Sequence, residues 1–147
     1  MTPKLPVSVL VVVATTAREV LLLERRARTG YWQSVTGSLE RWDEPLEEAA
    51  RRELREETGI DAGAGELRRL DLVYTFEIFA QWCHRFAPGT THNTEHAFGL
   101  RLAGRVPVTL APEEHTASAW LPWREARARC FSWSNRDAIG VVAACQP

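Results

Sequence analysis

Three cysteines and one methionine are all the sulfur this 147-residue sequence carries, and Cys83, Cys130 and Cys145 stand far apart with no CxxC pair among them. An odd count without metal-ligand spacing excludes a disulfide scaffold and a thiolate metal centre, leaving three buried thiols in a reducing compartment. An excess of one charge is missing too: 18 Lys and Arg stand against 19 Asp and Glu, a formal net charge of -1. No global field gathers nucleic acid or an anionic membrane, so charge-dependent function must be local. Long apolar runs are also lacking. The stretch Leu5 to Ala14 is too short to span a bilayer and rich in β-branched valine, which predicts a core strand rather than a signal peptide or anchor. With no targeting tag in view, the expected location is cytoplasmic and the expected organisation one domain over residues 1–147.

What is present is a chain with 45% apolar residues, enough for one core that buries about 70% of the unfolded surface. Val20-Leu21-Leu22-Leu23 follows the first run at hairpin distance and predicts a second strand. Leu70, Leu72, Tyr74, Phe76 and Ile78 alternate, as do Phe98, Leu100 and Leu102, and period two predicts strands. Ala119-Trp120-Leu121 gives a further short strand, Pro122 to Arg129 a short helix, and Ser134 to Ala144 a terminal helix whose Ser134 and Asp137 suggest a capping box. The turn-rich stretch Ala87 to Asn93 is short enough to be a loop within the domain. Strands with one strong middle helix and one terminal helix predict an α/β fold, a mixed sheet covered on both faces.

The middle helix carries the chemistry. Pro45 to Thr58 is built of good helix formers, opened by Asp43, Glu44 and Pro45 and closed by Gly59. On a wheel of about 100° per residue, Glu53, Glu56 and Glu57 border the apolar arc of Leu46, Ala49 and Ala50, whereas Glu48, Arg51 and Arg55 fall opposite it. Three acids at the core margin repel one another and face desolvation. A charge-rich surface helix is the simple reading; a bound hard cation is the other, and all-oxygen ligands favour Mg²⁺ or Mn²⁺ over zinc. Gly37 supplies a tight turn with an accessible carbonyl for such a site, and Arg52 is placed to orient a neighbouring carboxylate.

Gly37, Glu44 and the run Arg52-Glu53-Leu54-Arg55-Glu56-Glu57-Thr58-Gly59-Ile60 resemble the Nudix box, Gly-x5-Glu-x7-Arg-Glu-U-x-Glu-Glu-x-Gly-U with U aliphatic. One spacing departs from it: six residues, not five, separate Gly37 from Glu44. Either Asp43 takes the first acidic role or the loop bulges around Arg41-Trp42. The resemblance implies an α/β/α sandwich with a mixed sheet, and metal-assisted attack of water on phosphorus. It implies Glu53 and Glu57 as principal Mg²⁺ ligands, Glu56 as the third box carboxylate, and Glu114 as a distant acid that ligates metal or activates water, with Gly37 completing the metal set.

Outside the box, Pro6 to Ser8, Trp32 to Ser38, Phe76 to Phe79, His84 to Gly89, Asn93 to Glu95, Glu114-His115 and Ser132 to Arg136 resemble members of the Nudix family that hydrolyse dihydroneopterin triphosphate, a step in making folate. That implies Lys4, Arg25, Thr36, Phe76, Glu77, Ile78, Phe79 and Ser132 as substrate contacts. Lysine and arginine suit phosphate oxygens, and a carboxylate such as Glu77 could read the N–H edge of a pterin. Without the resemblance, Phe76 and Ile78 are core residues and Lys4 and Arg25 solvated charges. None of His84, His92, His96 and His115 is assigned to catalysis, although His115 could tune Glu114. Two rivals stay open: a pyrophosphohydrolase acting on dATP or other nucleoside triphosphates, and a catalytically idle Nudix-like binding module. Either way the partner is a small molecule, not a nucleic acid or a membrane. The oligomeric state is left open, with a monomer as the simplest expectation.

Overall fold

In the computed structural model, which describes residues 2–63 and 66–144, the strand expected from the first apolar run is β1, Val7–Thr15, and it forms the spine of the molecule. Alternation sends Val9, Val11 and Val13 to one face and Leu10, Val12 and Ala14 to the other, and both sets are buried. Around it lie β2 (Glu19–Arg25), β3 (Trp32–Gln33), β4 (Val35–Ser38), β5 (Arg68–Glu77), β6 (His92–Leu102) and β7 (His115–Pro122). Among the described residues the sheet runs β3-β2-β1-β6-β5, with β4 also paired to β1 and β7 to β2. Among the described strand pairs β1 and β6 run parallel and the others antiparallel. The mixed sheet is therefore the expected one, with β3 and β4 added to the strands the sequence displays.

Helix α1, Leu46–Thr58, lays Ala49, Ala50 and Leu54 against Val9, Val11 and Val35. It stops at Gly59, whose left-handed φ of 75° lets its N–H bond the Arg55 carbonyl. On the opposite face, α2 (Trp123–Arg129) and α3 (Trp133–Ala144) pack Ala126, Ala138 and Ile139 against Leu10, Val12 and Leu22. The result is the expected α/β/α layering. β5 keeps Leu70, Leu72, Tyr74 and Phe76 on the α3 side. Its register shifts between Arg69 and Val73, around a left-handed Asp71.

Two local expectations change. Asp137 does not close a capping box, because its carboxylate accepts the Tyr74 hydroxyl at 2.7 Å. The start of α3 is served instead by Ser132 Oγ, which accepts the Asn135 N–H at 3.2 Å, and Ser134 is left free to turn into the sheet. Cys130 is buried as expected; Cys83 is exposed, on a short 3-10 helix over Ala80–Arg85, and Cys145 lies outside the described residues. No described helix is long and apolar enough to cross a membrane.

Candidate active site

The loop between β4 and α1 resolves which acid opens the box. Asp43 is exposed and paired with Arg41 at 3.0 Å. Glu44 is buried: its carboxylate accepts Arg52 Nε at 2.9 Å, Arg52 Nη2 at 3.1 Å and the Glu40 N–H at 2.8 Å. Those bonds, the Arg52 guanidinium first, hold the Glu44 carboxyl below the usual carboxylate range. Glu44 thus keeps the first acidic position, and the extra residue is absorbed in the exposed turn over 41–43. Arg52 also reaches Glu53 Oε1 at 2.9 Å and, more loosely, Glu56 Oε2 at 3.4 Å.

The three helix acids occupy different environments. Glu53 and Glu57 are buried, while Glu56 is exposed at the rim. Burial raises the Glu53 carboxyl above its ordinary range; burial, and then Glu53 beside it, raises that of Glu57 much further. Gly37 explains how a carboxylate fits there, since a Cβ at this position would overlap the Glu53 carboxyl. Ligand atoms of Glu57, Glu114 and His115 lie within 4.8 Å of one another, and Glu57 Oε1 is buried with no hydrogen-bond partner among the described residues. His115 Nε2 stands 3.8 Å from that oxygen and 3.3 Å from Gln33 Nε2. Burial, and then Arg25, push this imidazole down to about 4, so at neutral pH the contact with Glu57 is not an ion pair. An unpartnered buried carboxylate oxygen, with a second carboxylate and a neutral imidazole converging on it, fits a divalent cation.

This group opens onto a cavity of about 580 Å³ whose lining includes Lys4, Arg25, Thr36, Gly37, Glu53, Glu56, Glu114, Ser132 and all of Phe76 to Phe79. The sequence-predicted residues are therefore gathered around one space, with Glu57 buried beside it. On one flank Lys4, Arg25 and Arg85 converge, and Lys4 donates its backbone N–H to the Arg85 carbonyl at 2.8 Å. Desolvation and mutual repulsion lower the pKa of Lys4 and of Arg25, and Arg25 Nε is buried without a partner among the described residues. Cations crowded in this way favour a bound polyanion.

The other flank is a wall of aromatic rings over a polar floor. Phe79 and Trp82 lie 5.2 Å apart, Trp82 and Phe131 5.9 Å, Tyr31 and Phe131 4.6 Å, and Arg25 stacks over Trp82 at 4.7 Å. Glu77 is exposed at the rim and Ile78 buried. Ser132 is engaged with Ser134 Oγ and the Asn135 N–H. The floor holds Ser8, Asn93, Glu95 and Ser134, all buried. Thr36 joins the two flanks: its backbone N–H bonds Glu57, while its hydroxyl lies near both the Val9 carbonyl and Glu95.

Arg85, Asn93, Glu95 and Ser134 lie in segments that carry the family resemblance, but none of them is assigned to the site in the sequence expectations. The available signal was a carboxylate and an amide at alternate positions of a strand that continues into buried Ala97 and Phe98. Glu95 also supplies a test of the site's electrostatics. Burial pushes its carboxyl up to about 6, and the neutral Ser134 and Thr36 hydroxyls only partly offset this. A folded-state pKa above the unfolded value favours folding at low pH and loses that contribution as pH rises through 6. In EDTA, Glu95→Gln should therefore gain about 1 kcal/mol of stability relative to wild type between pH 5 and pH 8, read by urea unfolding. A pH-independent difference would contradict the burial argument.

A family model for the NUDIX domain matches residues 4–139. Dihydroneopterin triphosphate diphosphatase of Escherichia coli (strain K12) is 46% identical over 139 residues, 92% of this chain and 91% of the relative. The protein of the same name from Haemophilus influenzae is 35% identical, over 90% of this chain and 84% of its own. The solved structure of the E. coli dihydroneopterin triphosphate pyrophosphohydrolase superimposes with a TM-score of 0.90 at 41% identity, covering 98% of this chain and 99% of that one.

Proposed function

The chain belongs to the Nudix family, and on that premise we propose that it is a single-domain, Mg²⁺-dependent hydrolase that cleaves dihydroneopterin triphosphate to dihydroneopterin monophosphate and pyrophosphate. The observation that carries this reading is the division of one cavity into a flank of cations and acids and a flank of aromatic rings over a polar floor. A triphosphate attached to a flat bicycle has the same two halves.

Glu53 and Glu57 would hold the metal, with Glu56, Glu114 and the Gly37 carbonyl completing its surroundings. When bound, Mg²⁺ supplies charge neutralisation of the phosphate oxygens and polarises the anhydride under attack. The chain's own groups do the rest. Arg52 fixes the orientation of Glu53 through the 2.9 Å bond, so one carboxylate stays aimed despite its like-charged neighbour. Lys4, Arg25 and Arg85 bind the triphosphate oxygens, and substrate charge relieves the repulsion among them. Glu114, exposed at the mouth and close to Glu57, accepts a proton from the attacking water as the α–β anhydride bond breaks. The neutral His115 holds its place through Gln33. Thr36 and Ser132 line the passage between the halves, and Phe76 to Phe79 border the ring.

The test is pyrophosphate release with Mg²⁺ from dihydroneopterin triphosphate, dATP, dGTP and GTP at matched concentrations, with an EDTA control. The expected result is a kcat/KM at least about tenfold higher for the pterin, and release abolished by EDTA. Equal or faster turnover of dATP would move the activity to nucleotide hydrolysis. No metal-dependent release from any of them would remove the hydrolase reading.

A further inference from the structure

Two buried side chains on the cavity floor have no part in phosphate chemistry. Asn93 and Glu95 are alternate residues of β6, so both leave the sheet on its α3 face, where Ser8 of β1 and Ser134 of α3 meet them. Asn93 Nδ2 donates to Ser8 Oγ at 2.8 Å, and its Oδ1, although buried, has no partner among the described residues. Glu95 Oε1 accepts the Ser134 hydroxyl at 2.9 Å. Thr36 has a single hydroxyl proton and two acceptors within reach, the Val9 carbonyl and Glu95. A carboxylate offers about four acceptor positions, of which these hydroxyls fill at most two. The floor is thus a row of buried acceptors without enough donors, and the aromatic wall bounds the same cavity.

We propose that Glu95, with Asn93 beside it, is the specificity determinant of the site, accepting hydrogen bonds from the ring N–H and the adjacent exocyclic amino group of a 2-amino-4-oxopyrimidine bicycle. This rests on the pterin triphosphate reading above and makes it finer. The edge in question carries neighbouring donors, which a carboxylate meets with two acceptors. Guanine presents the same edge, whereas adenine sets an acceptor nitrogen beside its amino group, which would face a carboxylate oxygen with no proton between them. Glu95 therefore separates pterin and guanine from adenine, and the task of telling pterin from guanine falls to other groups. Glu77 is less suited to the role, because on the exposed rim its hydrogen bonds compete with water.

Glu95→Gln keeps the shape and replaces one acceptor by a donor. The full chain, wild type and variant, is compared by fluorescence titration with neopterin, which carries the ring without phosphates, and by kcat/KM on dihydroneopterin triphosphate, dGTP and dATP. The variant should bind neopterin at least about 30-fold more weakly. It should lose a similar factor on dihydroneopterin triphosphate and dGTP, carried by KM, with the loss on dATP at least about tenfold smaller. If Glu95→Gln does not fold, Glu95→Asp, which withdraws the carboxylate by one methylene, should show the same ranking of losses. A wild type that prefers dihydroneopterin triphosphate, together with a variant that binds neopterin equally well or loses all three substrates alike, overturns this inference alone. A wild type that prefers dATP overturns the substrate reading and the inference together.

Discussion

Glu57→Gln should give a folded protein whose turnover falls by about 10³-fold, a loss of about 4 kcal/mol of transition-state stabilisation. The carboxylate lies 1% exposed, with an oxygen that no group among the described residues satisfies, so its amide replacement keeps the volume and removes the charge that would hold the cation. Metal-free stability should rise at neutral pH, because the amide keeps the volume and removes a charge that burial and the neighbouring Glu53 disfavour. The discriminating measurement is the melting temperature with and without Mg²⁺: the ion raises that of the wild type, since a ligand of the folded state alone stabilises it, and leaves the variant nearly where EDTA leaves it. A variant that keeps both turnover and the Mg²⁺ response would remove Glu57 from the metal set.

Gly37→Ala should be nearly as damaging for a different reason. Gly37 lies within β4 opposite Val9, without the left-handed φ that Gly30, Gly59 and Gly89 show. The cost is therefore steric: the new methyl falls on the Glu53 carboxyl. Displacing that carboxylate from its bond to Arg52 should cost about 1–3 kcal/mol of stability, as overpacking does, and about 10²-fold in kcat through misplacement of a ligand. Combining Gly37→Ala with Glu53→Ala separates the two effects. The double variant should regain much of the stability and none of the activity; a double variant no more stable than Gly37→Ala would show that the clash lies elsewhere.

The parts of this molecule legible in its sequence are those whose determinants are local. Helix α1 announces itself through its formers, its apolar arc and Gly59, and the acids Glu53, Glu56 and Glu57 are fixed relative to one another by helical spacing alone. β1 and β5 show the expected apolar patterns. By contrast β3 and β4 span two and four residues, too few for a period to emerge, and exist because β2 and β1 offer them partners. The polar floor is hidden for a related reason: Ser134 meets Glu95 39 positions away, and Asn135 meets Ser34 at a separation of 101. The choice between Asp43 and Glu44 was likewise beyond the spacing of the motif, because it turns on which carboxylate reaches Arg52 once the loop has folded. Ser132 and Ser134 show the same limit at smaller scale, since a cap and its neighbour differ only in which way the chain turns on entering α3.

Thr36 sits between two faces of one strand, its amide bonded to the acid of the α1 side and its hydroxyl turned to the acid of the α3 side. Because neighbouring strand residues point to opposite faces, the proposed metal-holding acids on the α1 side and the proposed ring-reading groups on the α3 side flank opposite faces of the same sheet. On the proposed reading, redesign for a new base would involve β6, the first turn of α3 and the Phe76 to Phe79 segment that borders the ring, leaving α1 and its loop untouched.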